Sequence, residues 1–376
     1  MGVTSSPSPR YSDTPIPPYV LAQFSIPATG TVAPCGHGHI HDTYLARFAE
    51  GGRETAVILQ RLNGRVFPDI PAVMDNIARV TRHLQAKLAA LPGADPVREA
   101  LSLVPARDGA PCWRDEDGRW WRAFRFVDGT VTYETCTDPV QAYEAARVVG
   151  RFQSLLADLP GPRLRETIPF FHHTPRRLQA LDDAIARDAA GRRGQAAPEI
   201  EFALVRRDLA PAIVARLEAG ELPERVTHND TKLNNVLFDA KTGRGLCLID
   251  LDTCMPGSAL YDFGDMVRTM TGEAAEDETD LSKVRVDLKR FEALVRGYLE
   301  TAGGFLCRRE LDLLALSGRL LTFTIGVRFL TDFLSGDVYF KTSRPNHNLD
   351  RCRVQFRLVQ SMEEQEAEMR AVVNGA

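Results

Sequence analysis

His228-Asn229-Asp230-Thr231-Lys232-Leu233-Asn234-Asn235, followed by Leu248-Ile249-Asp250-Leu251-Asp252, is the stretch on which the reading of this chain turns. An aspartate, an asparagine five residues later and a second aspartate after a short apolar run make up the donor set that phosphoryl transfer requires. One carboxylate must meet the acceptor hydroxyl, while an amide oxygen and another carboxylate hold Mg²⁺ against nucleotide phosphates. Asp230 suits the first role, and Asn235 with Asp250 the second. Val236-Leu237-Phe238 and Leu246-Cys247-Leu248-Ile249 flank the turn residues Asp239-Ala240-Lys241-Thr242-Gly243. They are expected to pair as a hairpin that carries Asn235 and Asp250 toward the same end. Taken singly, these Asp and Asn residues read as turn caps. The two halves at this spacing make the catalytic reading.

Upstream, Ile40 to Phe48 alternates as a strand, Glu50-Gly51-Gly52-Arg53 is turn chemistry, and Thr55 to Gln60 is the returning strand. From Pro71 the spacing becomes helical, with Val73, Ile77, Val80, Leu84 and Leu88 in one stripe and Pro92-Gly93 as the stop. Strand signals return at Leu101–Val104 and Trp120–Val127, and Asp128-Gly129-Thr130 reads as a connector. Residues 138–160 read as a helix, 183–198 as a solvated bend or weak helix, and Leu311–Phe333 as a buried helix. The last stretch, with Phe356, Val359 and Met362 at helical spacing, reads as a surface helix. The expected fold class is α+β: a flexible tail over 1–18, a small mixed N-terminal lobe over 19–127, and a larger, mostly helical lobe over 128–376.

Composition narrows the setting. The 376 residues carry 46 basic and 50 acidic side chains, a net charge of −4, so no general affinity for nucleic acid or membrane is expected. Seven scattered cysteines, an odd number without a Cys-x-x-Cys pair, suit reduced thiols in a cytoplasm better than a disulfide framework. The Ser- and Pro-rich start lacks the apolar stretch of a signal peptide, and no later run reads as the ~18 apolar residues of a membrane span. Nothing in the pattern speaks to oligomeric state.

The 228–252 segment resembles the catalytic segment of the aminoglycoside phosphotransferase/choline kinase superfamily, relatives of protein kinases. The match looks closest to the N-acetylhexosamine 1-kinase branch. It extends through Leu59-Gln60-Arg61-Leu62-Asn63 with Phe67, Phe170-Phe171-His172-His173-Thr174-Pro175-Arg176-Arg177, Tyr261-Asp262-Phe263-Gly264-Asp265 and Arg328-Phe329-Leu330-Thr331-Asp332. The resemblance implies a protein-kinase-like two-lobed fold with ATP between the lobes and Mg²⁺ on Asn235 and Asp250. It also implies that Asp230 is the base or hydroxyl-positioning group. Lys232, two residues on, would offset charge in the transition state. His228 would orient the loop, and Asp252 is either a second metal or substrate contact or a structural carboxylate. Asp262 reads as the cap of a helix beginning near Phe263, and Asp265 is left between capping and substrate contact.

In the first lobe, the Gly36–His41 loop is expected to cover the phosphates, because Gly36 and Gly38 let backbone N–H groups approach anionic oxygens. His37, His39 and His41 alternate, but nothing completes a zinc site beside them. One departure stands out. Protein kinases place a lysine on the third strand, whereas the first lysine here is Lys87. Gln60 or Arg61 must serve the phosphates instead, depending on a one-residue register, with Asp75 or Asn76 as the helix partner. Acceptor recognition is expected in the second lobe. Arg328 and Asp332 share a helix face and would either pair with each other or bind sugar hydroxyls. Arg176, Arg177, Asp337, Tyr339 and His347 are further candidates, and the Phe170-Phe171 pair reads as packing. The expected reaction is transfer from ATP to the anomeric hydroxyl of an N-acetylhexosamine. A kinase for choline, an amino alcohol or an aminoglycoside is the alternative within the enzyme class, and a silent nucleotide-binding scaffold the alternative outside it.

Overall fold

Period-two alternation builds the first of two units into which the chain divides, Met1–Asp128, and helical periodicity dominates the second, Gly129–Ala376. The structure, a computed structural model, describes residues 18–24, 26, 30–35, 40–50 and 53–376. Most of the expected tail, the loop glycines Gly36 and Gly38 with His37 and His39, and Gly51-Gly52 lie outside those residues.

In the first unit, α1 (Pro18–Leu21) precedes strands β1 (Gly30–Pro34), β2 (Asp42–Glu50) and β3 (Arg53–Leu62). Helices α2 (Ile70–Ala89) and α3 (Pro96–Glu99) follow, then β4 (Leu103–Val104), β5 (Trp113–Arg114) and β6 (Trp120–Arg125). All pairings are antiparallel, in the order β1-β2-β3-β6-β4 with β5 also on β6. One sheet face buries Tyr44, Ala46, Val57, Leu59, Trp121 and Ala123 against Val20 and Phe24. Helix α2 starts where Asp69 accepts from Ala72 N and Pro71 sits in the first turn. Its Val73, Met74, Ile77, Val80, Leu84 and Leu88 are buried, and the Met74 sulfur meets Arg122 Nη1 at 3.9 Å.

In the second unit, β7 (Thr130–Val131), α4 (Pro139–Leu156), α5 (Thr174–Arg187), α6 (Ala197–Val205) and α7 (Val214–Glu218) lead to the short strands. These are β8 (Arg225–Thr227), β9 (Val236–Asp239), β10 (Gly245–Leu248) and β11 (Met255–Gly257). Then come α8 (Ala259–Met270), α9 (Leu288–Ala302), α10 (Arg308–Ser335), α11 (His347–Glu364) and α12 (Glu366–Gly375). The β9–β10 hairpin forms as its sequence suggests, and Asp239 Oδ1 ties its turn by accepting from Lys241 N and Thr242 N. The connector after Asp128 differs from expectation. Thr130-Val131 pairs with Asp239-Phe238, and two residues are too few to show a period.

The segment 183–198 splits between the end of α5 and the start of α6, with Asp188 left-handed between them. The terminal region also corrects its reading. Phe356, Val359 and Met362 are buried on α11, the first two in one cluster with Phe323 and Phe333 of α10. Helix α10 is long and apolar enough to cross a membrane by composition, yet 72% of its most apolar window is packed inside the protein. It is the core helix of this unit.

Two close approaches set the helix geometry around the site. At Gly264 of α8, a Cβ would lie 2.5 Å from the Ser317 carbonyl oxygen of α10. At Gly297 of α9, a Cβ would lie 2.1 Å from the Tyr143 carbonyl oxygen of α4. Gly264→Ala must therefore push α8 off α10, and urea denaturation is expected to show a loss of about 1–3 kcal/mol. An unchanged midpoint would mean that the helices part without cost.

Candidate active site

Strand β8 ends at Thr227, paired with Met255 of β11, and the loop that follows is held at nearly every residue. Asp262 does most of the holding. Its Oδ1 accepts from Asn229 N at 2.7 Å and its Oδ2 from His228 N at 2.9 Å, while its carbonyl accepts from Thr231 Oγ1 at 2.7 Å. Two successive amides converge on one carboxylate, and directly after them Asn229 is left-handed, with φ 65°, which turns the chain into Asp230. The expectation that Asp262 caps α8 is corrected here. The helix begins at Ala259, and Ser258 caps it by accepting from Leu260 N. That leaves Asp262 one turn inside, free to face the loop. Burial raises its pKa, and His228 with the donated N–H groups opposes the rise.

Both His228 ring nitrogens are engaged, so the ring fixes the loop rather than moving protons. Nε2 lies 2.9 Å from the Ile249 carbonyl, and Nδ1 accepts from Asp230 N at 3.3 Å. His172, quoted in the sequence without a role, bonds through Nε2 to the Asn229 carbonyl at 2.9 Å. Burial, followed by the charges of Arg328 and Arg177, pushes the His172 pKa down to about 3.

Asp230 is half-buried and lies 3.1 Å from Lys232 Nζ. Burial would raise its pKa, but Lys232, His228 and Arg268 together hold the carboxyl below its ordinary value. Lys232 is the mirror case. Burial would lower it, and the carboxylates of Asp230, Asp250 and Asp265 hold it above the usual lysine value. Asn235 spends its amide nitrogen on the Asp230 carbonyl and Oδ2, at 2.8 and 2.9 Å. Its amide oxygen is thus left as an acceptor. Asp250 is exposed and left-handed at the end of β10, and Ile249 N donates to the Asn235 carbonyl at 2.9 Å. Asp252 is buried. Among the described residues no three His, Cys, Asp or Glu side chains group as a metal site. A pair of oxygen ligands nevertheless fits Mg²⁺, which keeps waters and substrate phosphates in its shell.

Asp265 sits one turn beyond Asp262 and is 2% exposed. Arg268 meets its Oδ1 with Nε and Nη2 at 2.9 and 2.8 Å, and Oδ2 has no hydrogen-bond partner among the described residues. Burial raises the Asp265 pKa despite Arg268, and Asp230 adds to the rise.

Arg328 and Asp332 do not pair. Asp332 accepts from Val338 N, Tyr339 N and Phe340 N and from Asn348 Nδ2, all at 2.8–2.9 Å, so both oxygens serve to hold the loop after α10. A substrate role for Asp332 would break that loop. Arg328 instead lies among rings, 4.9 Å from the centroid of Phe171, 5.7 Å from Tyr339 and 5.4 Å from Phe340. Burial lowers its pKa, Tyr339 opposes the fall, and the charge of Asp230 reaches it. Arg177 donates to the Phe170 and Phe171 carbonyls, where Phe170 is left-handed, and burial plus Arg328 brings its pKa down to about 10. Arg176 lies over the Phe170 ring, Asp337 pairs with Arg192, and His347 with Asp277.

In the first unit, Arg61 is opposite Asp42 in the ladder and donates to it through Nε at 2.7 Å, with Trp121 6.0 Å away. Gln60 projects to the other face, where its Oε1 accepts from Arg122 Nε at 2.8 Å and its Nε2 donates to Thr43 Oγ1 at 3.1 Å. Asp75 is exposed and Asn76 buried. His41 Nδ1 accepts from Asn63 N. Sequence reasoning missed Arg122, because its facing depends on a β3–β6 register that no local pattern contains. It also missed Arg268, which the three-residue spacing from Asp265 could have flagged.

The 228–235 loop, the β9–β10 hairpin and helix α8 thus meet around Asp230. Residues 31–303 match the model of the phosphotransferase enzyme family, APH, and the chain belongs to that family. Among solved structures it is similar to an aminoglycoside phosphotransferase from Alicyclobacillus acidocaldarius, at 14% identity over 97% of this chain and 98% of that one, TM-score 0.56. It is similar to a microcompartment-associated aminopropanol kinase at 15% identity, over 94% and 97% of the chains, TM-score 0.53. A spectinomycin phosphotransferase in complex with ADP and spectinomycin aligns at 12% identity over 89% and 93%, TM-score 0.54. These neighbours share the kinase-like fold, with its mixed-sheet N-terminal part and helical C-terminal part.

The neutral His172 makes a testable demand. Its folded pKa lies below its unfolded one, so the unfolded chain binds the extra proton between them. Stability is full above about pH 6.5 and falls as pH drops toward 3, by a few kcal/mol at order of magnitude. Thermal melts of the protein and of His172→Gln should diverge over that range, with the variant losing less on acidification. Parallel curves would sink the assignment.

Proposed function

We propose that this chain is an ATP- and Mg²⁺-dependent kinase of a neutral sugar, phosphorylating the anomeric hydroxyl of an N-acetylhexosamine to give the 1-phosphate. The observation that carries the acceptor class is Arg328, a guanidinium held by the rings of Phe171, Tyr339 and Phe340 within reach of the Asp230 charge. A cationic acceptor such as choline needs free carboxylates or an aromatic cage. Here the rings already hold the protein's own cation, and Arg177 and Arg268 add charge of the same sign. The Asp332 oxygens are spent on backbone amides. Hydroxyl, ring and acetamido oxygens, in contrast, match guanidinium donors.

In the reaction, the acceptor oxygen forms its bond to the γ-phosphorus as the bond to the β-phosphate oxygen breaks, releasing ADP. Asp230, kept ionised by Lys232, takes the hydroxyl proton. An anomeric hydroxyl is more acidic than an ordinary alcohol, so the transfer can come late. Asn235 fixes the Asp230 carboxylate through its amide nitrogen and offers its oxygen, with Asp250, to Mg²⁺. When bound, the ion neutralises charge on the phosphate oxygens. Lys232 offsets charge on the transferred group. In the first unit, Gln60, oriented by Arg122 and Thr43, is the side chain we assign to the phosphates, since Arg61 is engaged by Asp42. Asp265, with an unpartnered oxygen beside Arg268, is a second acceptor contact. Seven free thiols suit a reducing cytoplasm.

ADP release should be screened across N-acetylglucosamine, N-acetylgalactosamine, glucose, galactose, choline and homoserine, with ³¹P NMR locating the phosphate. Turnover with an N-acetylhexosamine at the anomeric position is expected, and turnover with choline alone would overturn the sugar reading. Asp230→Asn should lower kcat by about 10²–10⁴; near-full activity would remove it as the base. Arg328→Met should raise the acceptor KM by roughly tenfold or more and leave the ATP KM in place.

A further inference from the structure

Behind Asp262 the hydrogen-bond chain continues away from the loop. Gln153 of α4 donates through Nε2 to Asp262 Oδ2 at 2.7 Å, and Tyr298 of α9 donates its hydroxyl to Gln153 Oε1 at 2.6 Å. All three side chains are buried, at 2%, 0% and 0% exposure for Gln153, Tyr298 and Asp262. We propose that Gln153 and Tyr298 are positioning residues for Asp230, acting through Asp262 on the backbone amides of His228 and Asn229. The inference rests on the reading of Asp230 as the base.

The direction of the chain carries the argument. Asp262 makes no ion pair; its charge is met by two loop amides and by the Gln153 amide, the single donor from outside the loop among the described residues. A buried carboxylate with fewer donors gains a proton more readily. Once protonated it is a weaker acceptor, and the bonds from His228 N and Asn229 N loosen. Asp230 is the next residue in the chain, and misplacement of a reacting group by about 1 Å is worth about 10²-fold in rate. Asp262 can only accept, so it fixes the Gln153 amide with Nε2 toward itself, and the Tyr298 hydroxyl, donating to Oε1, holds the amide there from the other end. The absence of a Cβ at Gly297 lets α9 approach α4 closely enough for this contact. A site needing only volume would be filled more safely by apolar side chains.

Gln153→Leu removes the donor, Gln153→Glu replaces it with one that works only when protonated, and Tyr298→Phe leaves Oε1 without its donor and the amide less firmly held. Val149→Ala, a loss of two buried methyl groups on the same helix, is the control for general destabilisation. In Gln153→Leu, kcat should fall by about 10–10²-fold with both KM values nearly unchanged. Hydrogen exchange at His228 and Asn229 should accelerate in that variant and stay slow in the control. Gln153→Glu should be most active at acidic pH and lose kcat as pH rises, since an ionised glutamate repels Asp262. The titratable groups facing Asp262 are His228, Cys254 and Tyr298, and all three are retained in both Gln153 variants. Tyr298→Phe should fall between the parent and Gln153→Leu.

If Gln153→Leu and Val149→Ala match in kcat and in loop exchange, the proposal is overturned. Should Gln153→Leu not fold, Gln153→Glu decides, and a pH profile superimposable on the parent's overturns it equally. The exchange measurement needs no acceptor, so it separates failure of this proposal from failure of Asp230 as the base.

Discussion

One carboxylate accepting two consecutive backbone amides is the contact on which the candidate site depends. Asp262 holds His228 N and Asn229 N together, and Asn229 then turns left-handed, which redirects the chain into Asp230. An asparagine tolerates that conformation better than most residues. The strain is stabilised from several sides: Asn229 Nδ2 donates to the Thr253 carbonyl, Thr253 Oγ1 to the His228 carbonyl, and His172 bonds the Asn229 carbonyl. With those bonds made, Asp230 projects from a loop that has little freedom left. Preorganisation of this kind lowers the reorganisation that a reaction must otherwise supply.

The charges around that loop divide by partner. Lys232 is tied to the carboxylates and strengthens their ionisation, so the Asp230 side stays negative. Burial lowers Arg328, with Arg268 adding to the fall, and Arg328 in turn helps to lower Arg177, so guanidinium donors gather on this side. The aromatic rings make this arrangement tolerable, since a guanidinium stacked on ring faces is compensated without a carboxylate. Asp332 then has a purpose apart from substrate. By taking three successive amides it fixes the loop that brings Tyr339 and Phe340 to Arg328.

The third strand of the first unit carries no lysine. Cross-strand pairing sets Gln60 beside Arg122 and Arg61 beside Asp42, on opposite faces of one sheet. The permanent charge nearest the expected position therefore comes from β6 and reaches Gln60, a neutral side chain with one N–H still to give.

The sequence by itself determined the reaction class, the α+β division near residue 128 and the hairpin that brings Asn235 and Asp250 to one end. Each follows from local spacing: five residues from Asp230 to Asn235, apolar runs about a glycine turn, a change of period from two to 3.6. What only the tertiary structure decided were the partners. Asp262 is a helix-interior hub because Ser258 had already capped α8; Arg328 and Asp332, four apart on one helix, went to different neighbours because the following loop folded back onto both. Gln60 and Arg61 took opposite faces by a register with no local mark. Gln153, Asp262 and Tyr298 are 109 and 36 residues apart in the chain and meet only where helices close on glycines. Spacing along a chain records which groups one element can present. Which of them meet is settled by packing between elements, and buried polar groups must then find partners there.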